Sequence, residues 1–84
     1  ALYNAYPNPF NPSTIISFSV PDLSDVRLDV YSIQGNHELT LTNNTYIAGT
    51  HSIEWDASSY SSGVYFIKMT SGNYITTQKV MLVK

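Results

Sequence analysis

Two histidines, six carboxylates and a scatter of serines are the groups in this chain that could do chemistry. His37 and His51 are far apart in sequence, and no cysteine or further histidine accompanies them, so a zinc site would lack ligands. They read as surface histidines. Asp22, Asp25 and Asp29 crowd together as in a calcium loop, but the EF-hand spacing and its glycine are missing. Asp22 and Asp25 are expected to cap a tight turn, and Asp29 to face outward on a strand. Glu54 and Asp56 are close enough in sequence to suggest a carboxylate pair. Such a pair needs a cleft to hold substrate between its members. A chain of 84 residues buries only about 60–65% of its unfolded surface, which leaves one core layer between two faces and no deep cleft. No G-x-S-x-G elbow is present, and neither histidine lies in a nucleophile motif. Trp55-Asp56 occurs once, without the repetition a propeller requires. Trp55 is expected in the core, with Asp56 capping the turn "DASS". These groups point to a chain that is not an enzyme and needs no cofactor or metal.

The elements that would position these groups are strands. In "TIISFSV", Ile16, Phe18 and Val20 share one face and Ser17 and Ser19 the other. Val26, Leu28 and Val30 alternate with Arg27, Asp29 and Tyr31, and Ile53 and Trp55 with Ser52 and Glu54. "GVYFIKM" and "YITTQKVMLV" are richer in β-branched and aromatic residues, as strands are. Turn chemistry separates the runs: "PDLSD", then turns around Gly35 and Gly49, "SSYSSG", and "SGN" around Gly72. No stretch carries the i, i+3, i+4, i+7 stripe of a helix. The expected fold is all-β, an immunoglobulin- or fibronectin-like Greek-key sandwich of six to seven strands, with a small closed barrel as the alternative. Phe18, Leu28, Val30, Ile53, Trp55 and Tyr65 are expected inside. "GVYFIKM" is apolar on both faces, which suits a central strand whose outer face is partly covered. "KVMLV" is also apolar on both faces, so it must pair within the fold or be offered to a partner.

Net charge is −2, and the basic residues Arg27, Lys68, Lys79 and Lys84 are scattered, so no nucleic-acid partner is expected. No apolar run is long enough to cross a bilayer. Without cysteine, folding rests on packing. Low charge with abundant Ser, Thr, Asn and Tyr fits a bacterial extracellular module, expected as a monomer.

The N-terminal stretch "YPNPFNPST" holds three of the four prolines. Proline fixes its own φ, donates no hydrogen bond and pushes the preceding residue out of the helical region. The segment must therefore be extended and semi-rigid. Residues 1–13 read as a Pro-rich lead-in from an upstream domain, and residues 14–84 as the sandwich. Phe10, a large apolar group in the middle of this lead-in, is expected to brace it against the body, over the outer face of "GVYFIKM". Asn8 and Asn11 are expected to close local turns. The prolines are expected to keep a preceding domain from pairing with the first strand. With no leader at its start, the chain is expected to be the C-terminal piece of a longer protein.

"YPNPFNPST", "VYSIQG", "AGTHSIEWD", "SGVYFIKM" and "KVMLVK", in this order, resemble the type A C-terminal sorting domain of the bacterial type IX (Por) secretion system. The chain is also similar to the immunoglobulin-like domain of flagellar hook-capping proteins. The resemblance implies a domain that directs a larger passenger, covalently attached upstream, from the periplasm across the outer membrane to the cell surface or beyond. Its partners would be the outer-membrane translocon, a shuttle protein and a sortase. The family's signature regions fall on Pro7, Asn8 and Pro9, on Gly63 and Tyr65, and on the strand from Lys79 to Lys84 with Val80 and Leu82. The alternative is a non-catalytic spacer, docking or carbohydrate-binding module, prompted by Tyr31, Tyr46, Tyr60 and Tyr74. Sugar binding needs coplanar exposed rings, whereas tyrosine at strand edges is ordinary in a β protein.

Overall fold

The computed structural model describes residues 1–84. Six strands and no helix form: β1 (Ser13–Val20), β2 (Ser24–Ser32), β3 (His37–Tyr46), β4 (Gly49–Asp56), β5 (Gly63–Ser71) and β6 (Tyr74–Leu82). All pairings between strands are antiparallel, with β1-β4 as one sheet and β3-β2-β5-β6 as the other. The chain passes from sheet to sheet after β1, β3 and β4. This is the expected all-β, Ig-like sandwich, with six strands. Ser71 pairs with Tyr74 across a two-residue loop, and Gly72 at its first position takes φ 58°. That left-handed backbone is why glycine stands there.

Alternation decides the core. Ile16, Phe18 and Val20 from β1, Val26, Leu28 and Val30 from β2, Trp55 from β4, and Tyr65, Ile67 and Met69 from β5 join Val80 and Leu82 in one buried cluster. Of the expected core residues only Ile53 is partly exposed, packed at the cluster's rim. The strand without a clear reading in the sequence is β3. Its pairing with β2 slips between Leu28 and Asp29 and again between Val30 and Tyr31, so its alternation is broken. Bulges of this kind re-aim side chains and twist an edge away from further pairing.

The lead-in is built into the body. Tyr6 and Ile15 exchange backbone hydrogen bonds, Tyr3 N–H donates to Ser17, and Ser19 N–H donates to Ala1, so the first six residues line the free edge of β1. The chain then crosses to β6, where Phe10 N–H donates to Met81 and Val83 N–H donates to Phe10, both at 2.9 Å. One seam of the sandwich is thus closed. Ala5 and Phe10 belong to the core. This corrects the expectation that Phe10 covers the outer face of β5: its ring lies inside, 5.3 Å from that of Trp55. Val64 and Phe66 are left half-buried on an uncovered outer face.

Candidate functional site

The three signature stretches meet at one corner. Within the β5-β6 hairpin, Gly63 pairs with Leu82 and Tyr65 with Val80. Asn8 reaches the other edge of β6 with its side-chain amide. Its Oδ1 accepts from Met81 N–H at 3.0 Å, and its Nδ2 donates to the Lys79 carbonyl at 3.2 Å. The amide stands in for the peptide group that a neighbouring strand would offer. This corrects the expectation that Asn8 closes a local turn: its side chain joins residues 73 positions apart in sequence. Pro7 and Pro9, on either side, are exposed. The Pro7 carbonyl accepts from the buried Thr14 hydroxyl at 2.7 Å. Gln78 works in the same way as Asn8: its Oε1 accepts from Ala5 N–H at 2.7 Å, and its Nε2 donates to the Tyr3 carbonyl. Nothing in the sequence singled out Gln78 or Thr14, because their partners lie on a segment with no regular period.

Beneath this corner lies an aromatic cluster. Trp55 is flanked by Phe10, by Tyr60 at 5.8 Å and by Tyr65 at 5.5 Å, the two tyrosines T-shaped to it. Its buried indole N–H has no acceptor. The Tyr65 hydroxyl donates to the Ser61 carbonyl at 2.7 Å, as a buried phenol must find a partner. Burial, and secondarily the charges of Glu38 and Tyr60, push the Tyr65 phenol above its ordinary value of 10.0, so it stays a donor. The chain end is tied here too. Lys84 Nζ donates to the carbonyls of Ser58 and Tyr60 at 2.6 and 2.7 Å, and Lys84 N–H donates to the Ser62 hydroxyl. Lys79, by contrast, is exposed and makes no salt bridge. Val80 and Leu82 point into the core, while Met81 and Val83 are 41% and 47% exposed.

The polar groups weighed for chemistry serve the fold. Asp29 is on the outward face as expected, yet it is 3% exposed. Arg27 Nε donates to it, Thr40 Oγ1 donates at 2.7 Å, and His37 Nε2 lies 2.9 Å away. Burial raises the pKa of this carboxyl, but the bonds from Thr40, His37 and Arg27 outweigh it, so the net shift is downward from 3.8. His51 packs between Phe18 and Tyr46 instead of lying free on the surface. Asp22 accepts from Ser24 in its turn, whereas Asp25, expected beside it as a cap, accepts from Thr45 across the β2-β3 pair. Asp56 caps its turn through Ser58 N–H. No group of three His, Asp or Glu is placed to hold a metal ion. Tyr46 and Tyr60 pack against the core, so the tyrosines form no coplanar exposed row.

Comparison with known families matches residues 4–84 to the model described as the secretion system C-terminal sorting domain. No curated protein matches the sequence.

Proposed function

The chain belongs to the family of secretion system C-terminal sorting domains, and from that premise we propose which part of it is read. The domain is a sorting signal for type IX secretion, the route that carries proteins across the outer membrane to the cell surface or the extracellular space. It is attached to a passenger protein and interacts with the secretion machinery. The family is one of signals, not of catalysts. The reading surface is the corner that exposes Pro7, Asn8, Pro9, Lys79 and Lys84, braced by Gly63 and, from beneath, by the buried Tyr65, Val80 and Leu82. Residues 1–13 both enter from the passenger and form part of that surface. The outer-membrane translocon and its shuttle take hold there, and a sortase acts where residues 1–13 emerge.

One observation supports this reading above others. The Asn8 amide pairs with the edge of β6, while Gly63 and Tyr65 pair with Leu82 and Val80 on its other side. Stretches remote in sequence become one surface, which exists only when the domain is folded. The machinery would thereby distinguish a folded sorting domain from an unfolded one. The experiment is a periplasmic reporter fused upstream of residues 1–84, in a host with the type IX system. The reporter is expected at the cell surface, and retained in the periplasm when the host lacks the translocon. Asn8→Ala is expected to reduce surface display with the core still folded by circular dichroism. Display of Asn8→Ala equal to the parent would remove the corner from the reading. Failure of the parent fusion to reach the surface would overturn the assignment to export.

A further inference from the structure

The outward face of the four-stranded sheet carries chemistry that the fold leaves unused. One rung crosses all four strands: His37 on β3 pairs with Tyr31 on β2, Tyr31 with Phe66 on β5, and Phe66 with Lys79 on β6. Beside it, Val64 pairs with Met81 on one flank, and Lys68 lies opposite Asp29 on the other. Tyr31, Phe66, Val64 and Met81 therefore form a continuous apolar stripe, because cross-strand partners share a face. None of these side chains joins the core cluster, and Met81 is 41% exposed.

Charge on this face is biased against the chain's own sign. The net charge is −2, yet Arg27, Lys68 and Lys79 all project here, leaving only Lys84 elsewhere. The two carboxylates on the same face are already occupied. Asp29 is held by Arg27, Thr40 and His37, and Asp25 by Thr45. Lys68 and Lys79 have no carboxylate partner; Lys68 Nζ stands 6.0 Å from the Tyr31 ring centroid. Lys79 stands opposite Phe66 in register, and Lys68 lies two residues further along the same strand as Phe66. The opposite sheet instead presents Glu54 and the hydroxyls of Ser17 and Ser52. Such a stripe between two free lysines is complementary to one kind of surface.

We infer that this face docks a protein partner that carries carboxylates around an apolar or aromatic insert, with Lys68 and Lys79 pairing the carboxylates and the Tyr31–Phe66 row receiving the insert. The inference rests on the sorting role and names the face and the partner chemistry through which the corner is read. The sorting role makes the partner a protein of the secretion machinery, and two lysines without a carboxylate partner, in a chain of net charge −2, select carboxylates on it. Charged pairs set orientation and association rate, and the apolar row supplies the desolvated centre.

The test uses the same reporter fusion with paired substitutions. Lys68→Glu with Lys79→Glu is expected to lower surface display about tenfold or more, with periplasmic accumulation of a domain still folded by circular dichroism. Its melt is expected to fall only by the repulsion between Asp29 and the new carboxylate opposite it at position 68. Lys68→Arg with Lys79→Arg is expected to retain display, since it keeps the charge. Glu54→Lys, on the opposite sheet, is expected to leave display unchanged. Full display of the double glutamate variant would overturn the inference while leaving the sorting role intact. A parent fusion that is never displayed would overturn the sorting role itself. A solution dimer of the parent, dissolved by the double glutamate change, would reassign the face to a second copy of this chain. Binding to anionic vesicles, abolished by the same change, would reassign it to a membrane.

Discussion

Replacing Phe10 by Ala isolates the contribution of the lead-in's side chain from that of its backbone. The ring is 2% exposed and packs on Trp55, yet the substitution keeps the N–H that donates to Met81 and the carbonyl that accepts from Val83. Truncating a buried phenylalanine costs about 3–5 kcal/mol, the lost transfer energy plus the cavity left behind. A domain of 84 residues is stable by about 4–13 kcal/mol, so this one ring, outside every strand, carries about a quarter or more of the total. In a thermal melt the midpoint is expected to fall by about 12 °C or more, from about 4 °C or more per kcal/mol at this size. Tyr6→Ala is the control, four residues away in the same segment. That side chain is 80% exposed, and its loss is expected to change stability by no more than about 0.5 kcal/mol. If Phe10→Ala melts with Tyr6→Ala and the parent, the lead-in is a tether lying on the fold, and the argument that it closes the sandwich is wrong.

Tyr65→Phe keeps the ring beside Trp55 and removes only the hydroxyl that donates to Ser61; denaturant titration is expected to show a loss of about 1 kcal/mol. Asp29→Asn is expected to cost about 1–2 kcal/mol at neutral pH, because charge-assisted bonds from Arg27 and Thr40 are weakened. It is also expected to flatten the acid limb of the stability profile. The Asp29 carboxyl is held below its unfolded value of 3.8, so the unfolded chain binds the proton first. Stability from Asp29 is therefore full above that value and is lost as pH falls through the lower folded one. Melts of the parent and Asp29→Asn between pH 6 and pH 2 measure the difference; parallel curves would refute it.

What the sequence determined by itself is the set of faces. Period two alone puts Phe18, Leu28, Val30 and Trp55 inside, because alternation in a strand assigns each side chain to a face without reference to a partner. It also marked "GVYFIKM" and "KVMLV" as apolar on both sides, and it carried the resemblance to the sorting family. It did not resolve β3, whose two bulges break the period that makes a strand legible. It could not say where Phe10 goes, since an extended segment between prolines has no periodicity to aim a ring. Nor could it predict the burial of Asp29, which follows from the neighbours Arg27, His37 and Thr40 that two different strands supply. The meeting of Asn8, Tyr65 and Lys79 at one corner was decided only by the tertiary structure. Strand order and register bring β5 beside β6, and the Asn8 amide then pairs with backbone 73 positions away, a contact set by position in space and not by residue type.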